Sequence, residues 1–472
     1  MIANEAEPAD LSPWFKGFGH VLVTRQLYET LVEPRMTQLQ DGTVDIEWVP
    51  VLAESWEQIE PTRWRFTLRQ GVTFHNGESF DASAVKASYD ALNDDEAAAA
   101  AGGFNILRGT AGCEVVDAAT VDILTPVPNN ELLGSILRLG FVALPPAMLN
   151  EQGLEAFSEN PVGTGPYRFS TWSRGQDIVL ERYEEYWDTE FPATFAAIRS
   201  FARPEAGVRA QTVASGEADF AFNIGAEQAS ALDHSVTGGG FQSTSLRVNN
   251  QIAPTSDQNV RLALNLAVDR QAIVDSIFLG HAQPAAFFGF QPVSLDPYPY
   301  DPERATQLIA DAGLAGTELE LVYGEGRIPE EDQLAELYKA FFEAIGLVIT
   351  LTKVEPVQYN EIGARPFAEQ PPLYMETTSS GNYGEIASGL ADKYGSEGTG
   401  TFSDPEFDAR FEELQTLDGE ARAAELQSIA EDLHEIAPRV WVAIVQQVHG
   451  ISDKLAPDLP LNAYVRVQDM VG

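Results

Sequence analysis

Apolar side chains fall at alternate positions from Trp64 through Phe66 to Leu68, with Arg65, Thr67 and Arg69 between them. That period of two predicts a half-buried strand. Gly71 ends the run, residues 72–74 resume an extended course, and Asn76-Gly77 predicts a tight turn because both residues tolerate positive φ. Phe80 closes the hairpin. Asp81 or Ser83 then caps a helix whose inner face is Val85, Ser88, Tyr89 and Leu92.

The same reading applied along the chain predicts alternating strands and helices. Residues 11–22 form a Gly- and aromatic-rich loop, with a helix at about 23–31. Trp14, Phe15 and Phe18, with His20 nearby, either cover a core edge or line a cleft. Residues 93–103 read as a helix end or loop, residues 114–125 as a hairpin turning at Asp117-Ala118, and residues 132–139 as a short helix. Gly163-Thr164-Gly165-Pro166 is not a phosphate cradle: no Lys-Ser/Thr follows, and Pro166 lacks a backbone donor. It predicts a tight turn before a strand at 167–171. A helix at 208–215 precedes a buried strand, and residues 244–250 read as a strand crossing between two halves of the molecule.

Val260, Leu264, Ala267, Val268, Ile273 and Ile277 form a helical face interrupted at Asp269-Arg270, a pair that fits a salt-bridged helix cap. Asp301 caps a helix ending at Gly313. A strand at 319–323, a helix at 330–345 and a strand at 347–354 make a β-α-β unit, hence a parallel pair. The loop after its first strand lies at the carboxyl edge, where open α/β sheets take ligands, and carries Arg327. Arg327 is either a solvated charge or the partner of a ligand carboxylate. A helix capped at residues 404–408, a second helix at 419–436, a strand at 440–445, and a tail from Pro457 that returns to the first half complete the chain.

Composition narrows the function. The 472 residues are 44% hydrophobic and 10% aromatic, ample for packed cores over about three domains or subdomains. Against 29 Lys and Arg stand 71 Asp and Glu, a net charge of −42. That excludes nucleic acid and anionic membrane surfaces as partners and favours a solvated exterior in a salty medium. The one cysteine, Cys113, allows no internal disulfide, and the six histidines have no metal spacing. His434-Glu435 opens like H-E-x-x-H, but Pro438 occupies the second histidine position. No nucleophile elbow, dinucleotide fingerprint or Walker lysine is present, so no enzyme and no cofactor are expected. No apolar run approaches a bilayer span, and residues 1–10 lack the segments of a signal peptide.

Three strings, in order, carry a family resemblance. The first is W-R-F-T-L-R with G-V-T-F-H-N-G and F-D-A; the second is P-V-G-T-G-P-Y; the third runs V-R-L-A-L-N-L-A-V-D-R from Val260. Together with Tyr28-Glu29-Thr30-Leu31 and Tyr186-Trp187, they resemble the extracytoplasmic solute-binding proteins of the peptide/nickel ABC importer family. The resemblance implies an α/β, two-lobed periplasmic-binding-protein-like fold with an extra N-terminal subdomain. Its first lobe would take residues 1–245 and 447–472, with the subdomain at about 46–162, and its second lobe residues 246–446. It implies a monomer outside the cytoplasmic membrane, its signal peptide removed, that closes on a small peptide-like solute and delivers it to a membrane permease. Alternatives are a periplasmic hydrolase or sensor-type receptor on the same scaffold, or a nickel- or haem-binding member. The expected ligand-binding residues are Trp14, Phe18, His20, Asn249, Arg327, Tyr374, Glu376, Thr378, Ser379, Asn382 and Tyr383. Asn249 either bonds a ligand or fixes the crossover loop. Many peptide-binding members carry an acid in a W-x-x-D-like segment here, whereas this chain has Thr377, Thr378, Ser379 and Ser380, with Glu376 as the substitute anion.

Overall fold

In the computed structural model, residues 1–472 are described apart from 15–17, 39–43, 95, 97, 99–105, 108, 135–140, 288–292, 326–327, 380–385, 458, 460–464 and 471–472. The architecture is two-lobed α/β, as the resemblance implies. Among the described residues, one 11-stranded sheet runs through both lobes. In the second lobe it begins with Val348–Val354, Glu318–Gly324 and Leu373–Ser379. Two long central strands follow, Ser235–Val248 and Arg439–Ile451, with the short strand Ala282–Pro284 paired to the second, and the sheet ends in the first lobe with Phe220–Ala221, Ile2–Asn4, Ala197–Ala202, Asp177–Arg182 and Tyr167–Ser173.

The two central strands are antiparallel and carry the chain between the lobes. Ser235–Thr237 pair with Val448–Gly450, Phe241–Arg247 pair with residues 439–446, and the register shifts in between. Gly238, at φ +150°, lies in that shift; a Cβ there would come within 2.9 Å of Leu459 Cβ. His449 ties the crossing together: Asn223 N–H donates to its Nδ1 at 3.0 Å, and its Nε2–H donates to Gly238 O at 2.8 Å. The β-α-β unit reads as expected, with Glu318–Gly324 and Val348–Val354 parallel and the helix Glu331–Ala344 between them. The helical face interrupted at Asp269 is likewise two helices, Gln258–Ala267 and Arg270–Ser276, with Asp269 capping the second. Arg270 does not pair with that cap. It turns inward to Trp441 O at 2.7 Å and Asn265 Oδ1 at 2.9 Å.

The strand Arg63–Leu68 sits in a separate sheet with Ala53–Glu60, Thr120–Leu124 and Gly112–Asp117. Phe66 and Leu68 point into the core while Thr67 is exposed. Arg65 and Arg63 both donate to the buried Asp122, Arg65 through Nε at 2.7 Å and Nη2 at 2.8 Å. The turn forms at Gly77, where φ is +86°, and Asp81 caps the helix Ala82–Leu92.

The family strings meet in the packing of the first lobe, where His75 brings the subdomain against it. The Glu29 carboxylate is buried and accepts from Tyr186 Oη at 2.7 Å, Trp187 Nε1 at 2.8 Å and Thr164 Oγ1 at 2.9 Å. His75 grips the glycine turn: Gly163 N–H donates to Nδ1 at 3.3 Å, which leaves Nε2–H to donate to Gly165 O at 2.9 Å. Both glycines are sterically required, because a Cβ would lie 2.1 Å from Leu27 O at Gly163 and 2.5 Å from Gln26 O at Gly165. The same contact corrects the helix expected at 23–31. The helix is Phe18–Thr24, and it stops because the carbonyls of Gln26 and Leu27 accept from Tyr167 N–H and Gly165 N–H instead of from the next helical turn.

Candidate functional site

Where the central strands cross, both lobes line a narrow cavity. Asn223 and Ala226 face it from the first lobe, His281 and Glu330 from the second, and Gln242 and Gln447 from the crossing strands. Glu330 caps the gap between lobes, its Oε1 accepting from Ala226 N–H at 3.3 Å. Burial, with Glu227 nearby, pushes its carboxyl up to about 7, against the hydrogen bonds from the Ala226 and Glu330 amides. Gln447 is 2% exposed, and neither atom of its amide has a hydrogen-bond partner among the described residues. Buried amides are ordinarily satisfied, which sets the Gln447 side chain apart as a candidate at this cavity. The loop after Glu318–Gly324 supplies the Pro329–Glu330 wall, at the sheet edge singled out in the sequence.

The expected site residues are dispersed. Arg327, Asn382 and Tyr383 lie outside the described residues, as do the side chains of Phe18, Thr378 and Ser379. The backbones of Thr378 and Ser379 pair with Ser243 and Gln242, which brings that strand's end to the crossing. Trp14 is in the first-lobe core and His20 is buried 4.0 Å from Asp10. Asn249 fixes the crossover loop: its Nδ2 donates to Phe367 O at 2.7 Å and Gln370 O at 2.9 Å, and its Oδ1 accepts from Gln251 N–H at 3.0 Å.

Tyr374 and Glu376 face the same way from the strand Leu373–Ser379, into a buried charge cluster. Glu376 Oε1 lies 3.0 Å from Lys393 Nζ and 3.3 Å from Arg247 Nη2, and Oε2 pairs with Arg439. Burial alone would raise this carboxyl, but Lys393, Arg439 and Arg247 hold it well below the usual carboxylate range. Tyr374 Oη donates to Tyr359 O at 2.6 Å, and its ring lies 4.8 Å from the Arg247 guanidinium. Glu376 is therefore engaged by the protein's own cations.

Sequence reasoning missed Gln447. Its signal was two adjacent amides, Gln446-Gln447, continuing a run of apolar residues that otherwise reads as a buried central strand. No group of three or more His, Cys, Asp or Glu side chains that could hold a metal ion occurs among the described residues. No described helix is long and apolar enough to cross a membrane.

The chain is 33% identical over 282 residues to the glutathione-binding protein GsiB of Salmonella paratyphi A, covering 57% of this chain and 54% of that protein. That match spans about half the length of the relative. A longer match, 26% over 435 residues, is to the GsiB of Pectobacterium atrosepticum, covering 87% and 83%. The fold is similar to that of a dipeptide-binding protein from Pseudoalteromonas sp. SM9913 in complex with Met-Leu, with TM-score 0.82, 17% identity and 99% and 98% coverage of the two chains. NikA from Brucella suis in complex with Fe(III)-EDTA gives TM-score 0.81 at 22% identity, covering 100% and 99%. A sequence profile of the middle region of one family matches residues 47–435, most of the chain, and the protein belongs to that family, the bacterial extracellular solute-binding proteins, family 5.

Proposed function

We propose that this protein is the solute-binding component of an ABC importer, capturing a short peptide or amino-acid conjugate between its lobes and handing it to a membrane permease. It would act as a monomer outside the cytoplasmic membrane. The observation that carries the reading is the unsatisfied Gln447 amide in a cavity walled by both lobes. A peptide backbone has the complementary donor and acceptor, and capture of it makes and breaks no bond. The moving bodies would be residues 1–245 with 447–472, carrying the subdomain at about 46–162, and residues 246–446. Rotation about the two central strands would open the cavity to solute, and solute contacts to both bodies would favour the closed form. Relatives described as glutathione-binding, and a similar fold holding Met-Leu, support peptide-like probes as the first choice.

The test is calorimetric titration with glutathione and with Met-Leu, preceded by native mass spectrometry to find any solute retained on purification. Gln447→Leu keeps the side chain's bulk and removes its polar atoms. Loss of hydrogen bonds from a buried amide is worth about 1–3 kcal/mol, so the variant's Kd for the probe that binds should rise roughly 5- to 150-fold. An unchanged Kd would move the site away from the crossing strands.

A further inference from the structure

The lobes also touch through the inserted subdomain. Residues 130–131 follow the strand Thr120–Leu124 and rest on second-lobe elements. Asn130 N–H donates to Gln415 O at 3.0 Å, and its Nδ2 donates to Leu417 O at 3.1 Å and Thr416 O at 3.2 Å. Glu131 is 3% exposed; its Oε1 accepts from Ala387 N–H at 3.0 Å and pairs with Arg422. Ala387 is in the first turn of the helix Ile386–Tyr394, so the carboxylate also meets the favourable end of that helix's dipole. An apolar contact accompanies the polar one. Met36, from the strand Val32–Gln38, is buried in the same core cluster as Leu390, Tyr394 and Phe411.

We propose that Asn130 and Glu131 are a clasp, through which the inserted subdomain holds the second lobe in the closed arrangement independently of solute. The second-lobe partners named all belong to residues 387–422, so rotation about the central strands breaks these cross-lobe bonds together. The Glu131–Arg422 pair is mostly shielded from water, with side chains 3% and 19% exposed, so it resists screening by salt better than a surface pair does. A solute meeting a chain already biased towards closure does not have to supply the whole of the closing free energy, which raises its apparent affinity. This device is the same whatever the solute is.

The experiment uses the full chain freed of solute by dialysis and checked by native mass spectrometry. Spin labels go on Val116→Cys in the subdomain and Glu412→Cys in the second lobe, both exposed positions, while the buried Cys113 stays unlabelled. Electron–electron distance measurements should show one dominant short separation in the parent. Glu131→Gln should lower the closed-to-open ratio about tenfold, the effect of losing a charge-assisted buried pair. Asn130→Ala removes only two side-chain bonds to loop carbonyls and leaves the core untouched, so it remains informative if Glu131→Gln unfolds; it should shift the distribution the same way by a smaller amount. A parent already broad and open, or an Asn130→Ala distribution identical to the parent's, overturns the clasp.

Discussion

Glu29 and His75 show how buried titrating groups of opposite kind can be set against each other. Burial raises Glu29 from 4.5 to about 7, against the hydrogen bonds from Trp187, Tyr186 and Thr164, and raises Glu330 likewise to about 7. Burial lowers His75 and His449 from 6.5 to about 4. The raised carboxyls contribute stability that is present below pH 4.5 and is lost as pH rises through 7. The depressed imidazoles contribute stability that is present above pH 6.5 and is lost as pH falls through 4. Between pH 4.5 and 6.5 the two slopes oppose, so these four groups together leave the melting temperature nearly flat there. Glu29→Gln removes one carboxyl and leaves both imidazoles. The variant is less stable at every pH because its amide presents one acceptor to three donors, but its profile should now rise from pH 4.5 to 6.5, by about 1.4 kcal/mol per pH unit for one proton. Calorimetry across that range decides it, and a variant profile parallel to the parent's would mean that Glu29 ionises normally.

Strands and helices were legible wherever a single local pattern controlled them, as at Trp64–Phe66–Leu68, and misread where a distant backbone intervened. The helix at Phe18–Thr24 stops because the 163–167 turn claims the carbonyls of Gln26 and Leu27, a contact that no local periodicity announces. The strand Ser235–Val248 begins before the expected 244, because Ser235–Thr237 pair with Val448–Gly450 on the far side of the register shift, a pairing no local pattern announces. The strand Leu373–Ser379 was legible as a strand but not in its chemistry. The partners of Glu376 come from three separate elements that the sequence around it does not reveal: Arg247 and Arg439 on two other strands of the sheet, and Lys393 on the helix Ile386–Tyr394. Removing its charge strands three buried cations, with Asp392, 2.9 Å from Lys393, remaining beside them as a carboxylate partner. Glu376→Gln should therefore cost about 3–5 kcal/mol of stability in urea unfolding. A variant of unchanged stability that had lost affinity for Met-Leu would restore Glu376 as a solute anchor.

At the scale of the molecule, the family strings identified the two-lobed architecture but described packing instead of cargo: Glu29, Thr164, Tyr186 and Trp187 bond one another within the first lobe, and His75 joins the subdomain to it. The cavity was illegible because it forms from Asn223, Gln242, Glu330 and Gln447, brought together only when both lobes share one sheet. What the sequence does state for the molecule as a whole is its charge. The imbalance of 71 acidic to 29 basic side chains leaves a surplus of carboxylates without cationic partners, and their repulsion opposes the compact state. Buried pairs such as Glu376–Lys393 are shielded from added salt, whereas exposed carboxylates are not. Raising ionic strength shortens the screening length from about 10 Å at 0.1 M to about 3 Å at 1 M, which weakens repulsion across the surface far more than it weakens the buried clusters. The melting temperature should therefore climb by several degrees over that range in sodium chloride. Potassium chloride at equal ionic strength should do the same, because screening depends on ionic strength and not on a specific ion site. A flat or falling melting temperature would mean that the surface charge is already neutralised, by bound cations or by local pairing, and that it places no load on the fold.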